Sequence, residues 1–301
     1  MEDRSFFTEE GRHGTDRRPM AVLRCRSGPG TAMPARYLAP RHWHEEVEIL
    51  YFTQGRFTVE LDLQETAFAP GEICLVNAGT LHRVQSEPGA SEHLALLFDP
   101  RILAFSYADE VQQRLVAPLL AGQTGLCSKV VPGDPAYLPL RGALLALQQL
   151  YAAQGPGWYI RAKLQLLELL AALGEAGALR PTPQGRLPGE AVARYKAVVS
   201  CIRARYMEKL TLAQLARAAG CSPEYLCRFF RKISGSTPVE YLVAFRIEQA
   251  KALLRATGDS VLEISLACGF DSPSYFNRQF KRRTGQTPNA YRRQATGRET
   301  A

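Results

Sequence analysis

The 301-residue sequence has no run of about 18 or more apolar residues, so no membrane-spanning helix is expected. Met1 to Pro19 lacks an apolar stretch of signal-peptide type and reads as a polar tail. Seven cysteines (Cys25, Cys74, Cys127, Cys201, Cys221, Cys227 and Cys268) form no C-x-x-C pair. Without a secretion signal, that pattern suits reduced thiols and a cytoplasmic location. Positive charge is also missing from most of the chain. Outside Glu190–Gln294 there are 19 Lys/Arg against 21 Asp/Glu.

The excess is concentrated instead. Between Glu190 and Gln294 stand 18 Lys/Arg against 8 Asp/Glu, so this third carries all of the net charge of +8. A localised basic field suits a polyanionic partner, although a solvated basic surface kept for solubility would have the same balance.

Composition shifts divide the chain. Residues 20 to 99 read as short strands and turns: Val47–Phe52, Arg56–Leu61, Glu72–Val76 and His93–Phe98, separated by Gly55, Ala69-Pro70-Gly71 and Asn77-Ala78-Gly79. Leu138–Ala153 and Tyr159–Leu173 then carry leucines at helical spacing, broken by Gly155-Pro156-Gly157, and predict a helical hairpin. Its stripe (Leu140, Leu144, Leu147, Leu150; Leu164, Leu167, Leu170) suits packing on the β-domain or on a second subunit. Pro- and Gly-rich residues 175–190 read as a linker.

Beyond the linker, helix starts punctuate the sequence. Thr211-x-x-Gln214, Thr237-Pro238-x-Glu240 and Ser260-x-x-Glu263 match capping boxes. Ser222-Pro223 and Ser272-Pro273 place a hydroxyl cap before a first-turn proline. Helices are expected near 191–206, 211–219, 222–233, 238–256, 260–268, 272–283 and 288–294. Within them a motif repeats at an offset of fifty: Ser222-Pro223-x-Tyr225-x-x-Arg228-x-Phe230 returns as Ser272-Pro273-x-Tyr275-x-x-Arg278-x-Phe280. Gly235, Thr237-Pro238 and Tyr241 return as Gly285, Thr287-Pro288 and Tyr291.

Each copy reads as a helix-turn-helix unit, with Gly220 and Gly269 at the turns. If Leu226 and Phe230 face inward, helical phase turns Glu224, Cys227 and Arg228 outward. In the second copy those positions are Ser274, Asn277 and Arg278. Arginine bonds guanine bidentately and asparagine bonds adenine, so these six are the candidate base readers. Arg231, Lys232, Lys281, Arg282 and Arg283 lie further along and suit phosphate contact. The competing use of Arg228 and Arg278 is an internal salt bridge that braces the fold.

The run Ala267-Cys268-Gly269-Phe270-Asp271-Ser272-Pro273-Ser274-Tyr275-Phe276-Asn277-Arg278-Gln279-Phe280-Lys281, then Gly285-x-Thr287-Pro288-x-x-Tyr291-Arg292, resembles the signature of AraC-type transcription regulators. Ser265 departs from the alanine usual there. The resemblance implies base contacts from both second helices, and specificity leaning on Arg228, Asn277 and Arg278. It also implies an effector domain in front, a homodimer through the helical hairpin, and activation, hence a partnership with RNA polymerase.

Three of the five histidines fall in two further motifs. His42-x-His44-x-x-x-Glu48, six residues, Gly55 resembles the first cupin motif. Gly71, five residues, Asn77-x-Gly79-x-x-His82 resembles the second, with asparagine in place of the usual proline. Even spacing would put His42, His44 and Glu48 on one face of a strand, with His82 opposite. They would line an effector pocket, or supply three nitrogens and a carboxylate to a divalent metal. No cofactor is required by the regulator reading. Trp43 and Tyr51 are of the type that stacks on a sugar-like effector, but core packing is the expected use of these rings.

The expected fold is a multidomain α and β chain. It has a cupin-like β-barrel (20–105), a helical dimerisation region (106–174) and a linker (175–190). An all-α DNA-binding domain with two helix-turn-helix units follows (191–294), with tails at 1–19 and 295–301. The expected function is a sequence-specific regulator of double-stranded DNA, not an enzyme, controlled by a small molecule. The main rival is a metal-dependent cupin enzyme anchored by its DNA-binding units. A non-specific architectural DNA binder is the third reading.

Overall fold

A computed structural model describes residues 14–181 and 189–295. Of the tails expected at 1–19 and 295–301, residues 1–13 and 296–301 lie outside the described residues, as do linker residues 182–188. The chain divides between residues 188 and 189 into two compact units.

The N-terminal unit opens with β1 (Met20–Ser27), β2 (Leu38–His42), β3 (Val47–Gln54), β4 (Phe57–Leu61), β5 (Gln64–Phe68), β6 (Ile73–Val76), β7 (His82–Ser86) and β8 (Ser91–Phe98). After these come α1 (Ala117–Leu120), β9 (Thr124–Leu126), β10 (Lys129–Val130), α2 (Tyr137–Ala153), α3 (Trp158–Glu175) and β11 (Leu179–Pro181). The strands build one antiparallel sheet in the order β1-β8-β3-β6-β10 and a second in the order β2-β7-β4-β5.

The apolar run Ile49–Phe52 of β3 follows from burial on both of its faces. Val47, Ile49 and Tyr51 join Ile73, Leu75, Leu94, Leu96 and Phe98 beneath α2 and α3. Leu50 and Phe52 point the other way, into a core with Phe57, Val59, Phe68, Val76, Val84 and Leu97 from both sheets. Glu48 shares that inward parity, and this is what aims it into the barrel.

Leu140, Leu144 and Leu147 of α2, with Leu166, Leu169, Leu170 and Leu173 of α3, cover the outer face of the five-stranded sheet. Most of the leucine stripe is therefore core. Leu164 is 54% exposed and lies one turn from exposed Ile160 on α3; Leu138 is exposed at the start of α2. Tyr51 also faces this helical layer, where its hydroxyl accepts from Arg141 Nε at 3.0 Å. It does not line the barrel interior but packs in this outer core, the use expected for it ahead of stacking on an effector. Leu179–Pro181, inside the stretch read as linker, pairs with β9 and belongs to this unit.

The C-terminal unit is helical: α4 (Glu190–Arg205), α5 (Leu212–Ala218), α6 (Pro223–Ser234), α7 (Pro238–Ala256), α8 (Val261–Ala267), α9 (Pro273–Thr284) and α10 (Pro288–Ala295). These match the expected helices to within a residue or two at each end. The three capping boxes form reciprocally at Thr211/Gln214, Thr237/Glu240 and Ser260/Glu263. Ser222 and Ser272 accept from the Tyr225 and Tyr275 amides. Gly235 and Gly285 end α6 and α9 at φ +74° and +76°, where an L side chain would be strained.

Each unit closes on aromatic rings. Phe230 meets Tyr195 at 5.1 Å and Tyr241 at 5.4 Å between centroids. Phe280 meets Phe276 at 5.6 Å and Tyr291 at 5.6 Å. Ser265 is fully buried, and its hydroxyl donates to the Leu262 carbonyl at 2.8 Å, so serine fits without an orphaned donor.

Candidate nucleic-acid interface and effector site

In α6 the inward residues are Leu226, Phe230 and Ile233. Glu224, Arg228, Arg231 and Lys232 are exposed, and Cys227 is half-buried. In α9 Phe276, Gln279 and Phe280 are buried, while Ser274, Asn277, Arg278, Lys281, Arg282 and Arg283 are exposed. The same face of both helices is thus turned to solvent with its polar groups outward.

Arg228 and Arg278 enter no salt bridge among the described residues, so the bracing alternative finds no partner for them. The Arg278 guanidinium lies 5.5 Å from the Tyr275 ring centroid, which holds it against the helix surface without neutralising it. Arg283 differs from its neighbours. One of its amino groups donates to the Glu240 carbonyl at 3.1 Å, linking α9 to α7. Its capacity for phosphate is reduced by that bond.

Two features of this domain escaped the sequence. Tyr225 stacks on Phe229 at 5.8 Å with planes 9° apart, beneath the Arg194 guanidinium at 5.5 Å. Tyr225 remains 41% exposed at the start of α6, and Tyr275 occupies the equivalent place in α9. The repeated tyrosine was the available signal. Arg246 of α7, the helix between the two helix-turn-helix units, had none.

The second candidate site lies in the N-terminal unit. His42 ends β2 in one sheet, Glu48 sits on β3 in the other, and His44 occupies the turn between them. The three do not share one strand, as their even spacing had suggested. The chain crosses between sheets at Trp43–Glu46, and strand parity is lost there. Crossing nevertheless brings them together. His42 pairs with His82 of β7, their ring centroids 4.1 Å apart, and the His44 ring is 5.0 Å from that of His82.

Each imidazole is held by its Nδ1. His42 Nδ1 lies 2.7 Å from the Pro40 carbonyl, His44 Nδ1 3.1 Å from that of Glu46, and His82 Nδ1 2.8 Å from that of Thr80. A carbonyl only accepts, so Nδ1 donates in each ring; Nε2 is then a lone pair in a neutral ring and a donor toward Glu48 in a protonated one. All three Nε2 atoms are buried. Glu48 Oε2 stands 3.1 Å from His82 Nε2 and 3.6 Å from His44 Nε2. Burial alone would raise the Glu48 carboxyl, but the His44 and His82 imidazoles hold it well below its ordinary value. Burial, aided by His42, lowers His82 against the opposing pull of Glu48. Ligand atoms of His42, His44 and His82 lie within 4.8 Å of one another. Three imidazole nitrogens with one carboxylate oxygen fit a divalent transition ion.

Asn77, in the position where cupin motifs usually have proline, makes a two-way bridge to Leu126. Its amide donates to the Leu126 carbonyl at 3.2 Å, and its side-chain oxygen accepts from the Leu126 amide at 2.8 Å. Proline could do neither. Further inside, His93 is packed edge-on to Tyr37 and Phe57, and burial lowers it to about 4.

Comparison with known proteins agrees with this division. Residues 29–170 match the model of an AraC-like ligand binding domain, and residues 215–294 that of a helix-turn-helix domain. The chain is similar to YdeC of Bacillus subtilis, an uncharacterized HTH-type transcriptional regulator. The two are 25% identical over 84% of this chain and 86% of the relative. It is similar also to the HTH-type transcriptional activator RhaS of Pectobacterium carotovorum, at 24% identity over 86% of this chain and 90% of that one. Among solved structures it resembles the DNA-binding domain of AdpA in complex with a target DNA. The identity there is 32%, covering 36% of this chain and 96% of that one, with a TM-score of 0.34.

Proposed function

Since the chain belongs to the AraC-type transcription regulators, with their ligand-binding domain in front of their helix-turn-helix region, we propose that it reads DNA sequence through α6 and α9 together. Arg228, Asn277 and Arg278 are the main base readers, with Glu224, Cys227 and Ser274 beside them. Arg231, Lys232, Lys281 and Arg282 hold phosphates, and Arg283 contributes less. The observation that carries this reading is the repeated outward face, whose two central arginines have no acidic partner among the described residues.

The spacer supports joint insertion. α7 has 19 residues and spans about 28 Å at 1.5 Å per residue. Successive major grooves on one face of B-DNA lie about 34 Å apart. The remaining distance is within the reach of side chains and modest DNA bending.

In our reading a small molecule, a sugar being one candidate class, binds the N-terminal barrel near His42, His44, Glu48 and His82. It must favour one arrangement of the chain over another, since equal affinity for both shifts nothing. Ile160 and Leu164, one turn apart on α3, would belong to a homodimer surface on the hairpin. The output would be activation through RNA polymerase, in a cytoplasm. No described helix is long and apolar enough to cross a membrane. The barrel acts as a sensor in this account, without turnover of its own.

Selection of bound sequences from a random DNA pool, with and without candidate small molecules, tests the reading. A regulator prefers its site by about a thousandfold or more at physiological salt. Equal affinity for all duplexes would leave only an architectural binder.

A further inference from the structure

We infer that Tyr275 is a positioning residue for Arg278, and that the second helix-turn-helix unit therefore reads its base position more strictly than the first. The inference rests on the reading of Arg228 and Arg278 as base contacts and deepens it. Three observations carry it.

First, one repeated tyrosine carries two different cations. Tyr225 and Tyr275 stand three residues before Arg228 and Arg278, a spacing that makes neighbours on a helix surface. In α9 the pair forms: the Arg278 guanidinium lies 5.5 Å from the Tyr275 ring centroid. In α6 it does not. The Tyr225 ring is covered by Arg194 of α4 at 5.5 Å, and its plane lies 9° from that of Phe229. Arg228 is exposed and makes no ring contact or ion pair among the described residues.

Second, the packing helices account for the difference. α4 directs Arg194 onto the tyrosine of the first reading helix. α7 directs Arg246 elsewhere, to the Phe270 ring at 5.7 Å and to the Tyr206 and Glu208 carbonyls. The Tyr275 ring is thereby left for Arg278. Phe270, itself buried, backs Tyr275 with 6.2 Å between centroids, so the ring that receives the reader is held in turn.

Third, this brace leaves the reader able to read. A cation–π contact brings no acceptor oxygen to the guanidinium, so its donor fork stays free for guanine O6 and N7. A salt bridge would occupy that fork. A loose arginine loses rotamer freedom when it settles on a base, and one already held loses less. The difference counts only on DNA where the arginine engages its base. Bracing therefore raises discrimination rather than general affinity. An exposed contact of this kind corresponds to about a two- to fivefold effect.

The test measures affinities of the full chain for its selected site and for single-base variants of that site. Tyr275→Leu should lower discrimination about two- to fivefold at the position read by Arg278 and leave other positions alone. Tyr275→Phe, which keeps the ring, should restore it. In an Arg278→Ala background, Tyr275→Leu should have no further effect there. Tyr225→Leu should leave discrimination by Arg228 unchanged. Full discrimination in Tyr275→Leu would overturn the inference, as would a loss that phenylalanine does not rescue, or an equal loss at the first unit in Tyr225→Leu. Should Tyr275→Leu not fold, NMR of the DNA-free wild type with labelled arginine decides. Arg278 side-chain protons shifted upfield by the ring, with Arg228 at random-coil values, support the brace; random-coil values for Arg278 refute it. If Arg278→Ala relaxes one base position while Tyr275→Leu is silent, this inference alone fails. If Arg278→Ala relaxes none, the base-reading assignment fails and takes this inference with it.

Discussion

Arg246 Nε donates to the carbonyl oxygen of Tyr206 at 2.7 Å, and this bond joins the C-terminal end of α4 to α7, the helix between the two helix-turn-helix units. The same guanidinium donates to the Glu208 carbonyl at 2.7 Å and covers the Phe270 ring at 5.7 Å. Beside it, Gly269 at φ +80° turns the second unit. A Cβ there would come within 2.6 Å of the Tyr206 carbonyl oxygen and 2.9 Å of that of Met207. The turn of the second helix-turn-helix is therefore packed on the segment that follows α4, as well as tied to the first unit by α7. Arg246→Met should cost about 1.5–3 kcal/mol in urea denaturation, the range for hydrogen bonds to a charged donor. It should weaken binding to a full site more than to an isolated half-site. Equal losses on both DNAs would remove it from the geometry.

Arg278→Ala should cost about 1–3 kcal/mol at one base position and relax preference there. Affinities for a panel of single-base variants of the selected site measure this. Unaltered discrimination would take Arg278 out of the readers.

Lys281→Ala should weaken every sequence alike and reduce the slope of log affinity against log salt by about one. A loss confined to some sequences would contradict the phosphate assignment.

His93 ties stability to pH. Its folded value of about 4 lies below the ordinary 6.5 because burial disfavours the charged ring. The unfolded chain therefore binds more protons between these values, and stability falls as pH drops through that window. Between pH 7 and pH 5 this residue should account for about 2 kcal/mol of loss. His93→Phe, which keeps a ring between Tyr37 and Phe57, should lose that much less in urea midpoints converted to free energy. An identical pH slope would place the sensitivity elsewhere.

Much of the C-terminal unit was legible because its signals are local. Thr211, Thr237 and Ser260 cap within three residues of their partners, and the fifty-residue echo fixes the phase of both outward faces. The N-terminal unit was less so. The β4–β5 hairpin turns at Asp62 and Leu63, with φ of +46° and +71°, a conformation ordinarily announced by Asn-Gly. Leucine gives no such signal, and β5 went unread. The histidine motifs named the right cluster but the wrong scaffold, because strand periodicity assumes one strand and the chain changes sheets at Trp43–Glu46. Arg246 bonds to residues about forty positions away, a relationship that no spacing rule reports.

Rotational phase tests the central claim most directly. Inserting two residues near Ala250 in α7 turns one reading helix by roughly 200° relative to the other. Hydroxyl-radical footprints on the selected site should then shrink from two protected stretches, one helical turn apart on one face, to a single stretch, with full-site affinity lost. A footprint of one stretch in the wild type, or undiminished affinity after the insertion, would contradict simultaneous reading by both units.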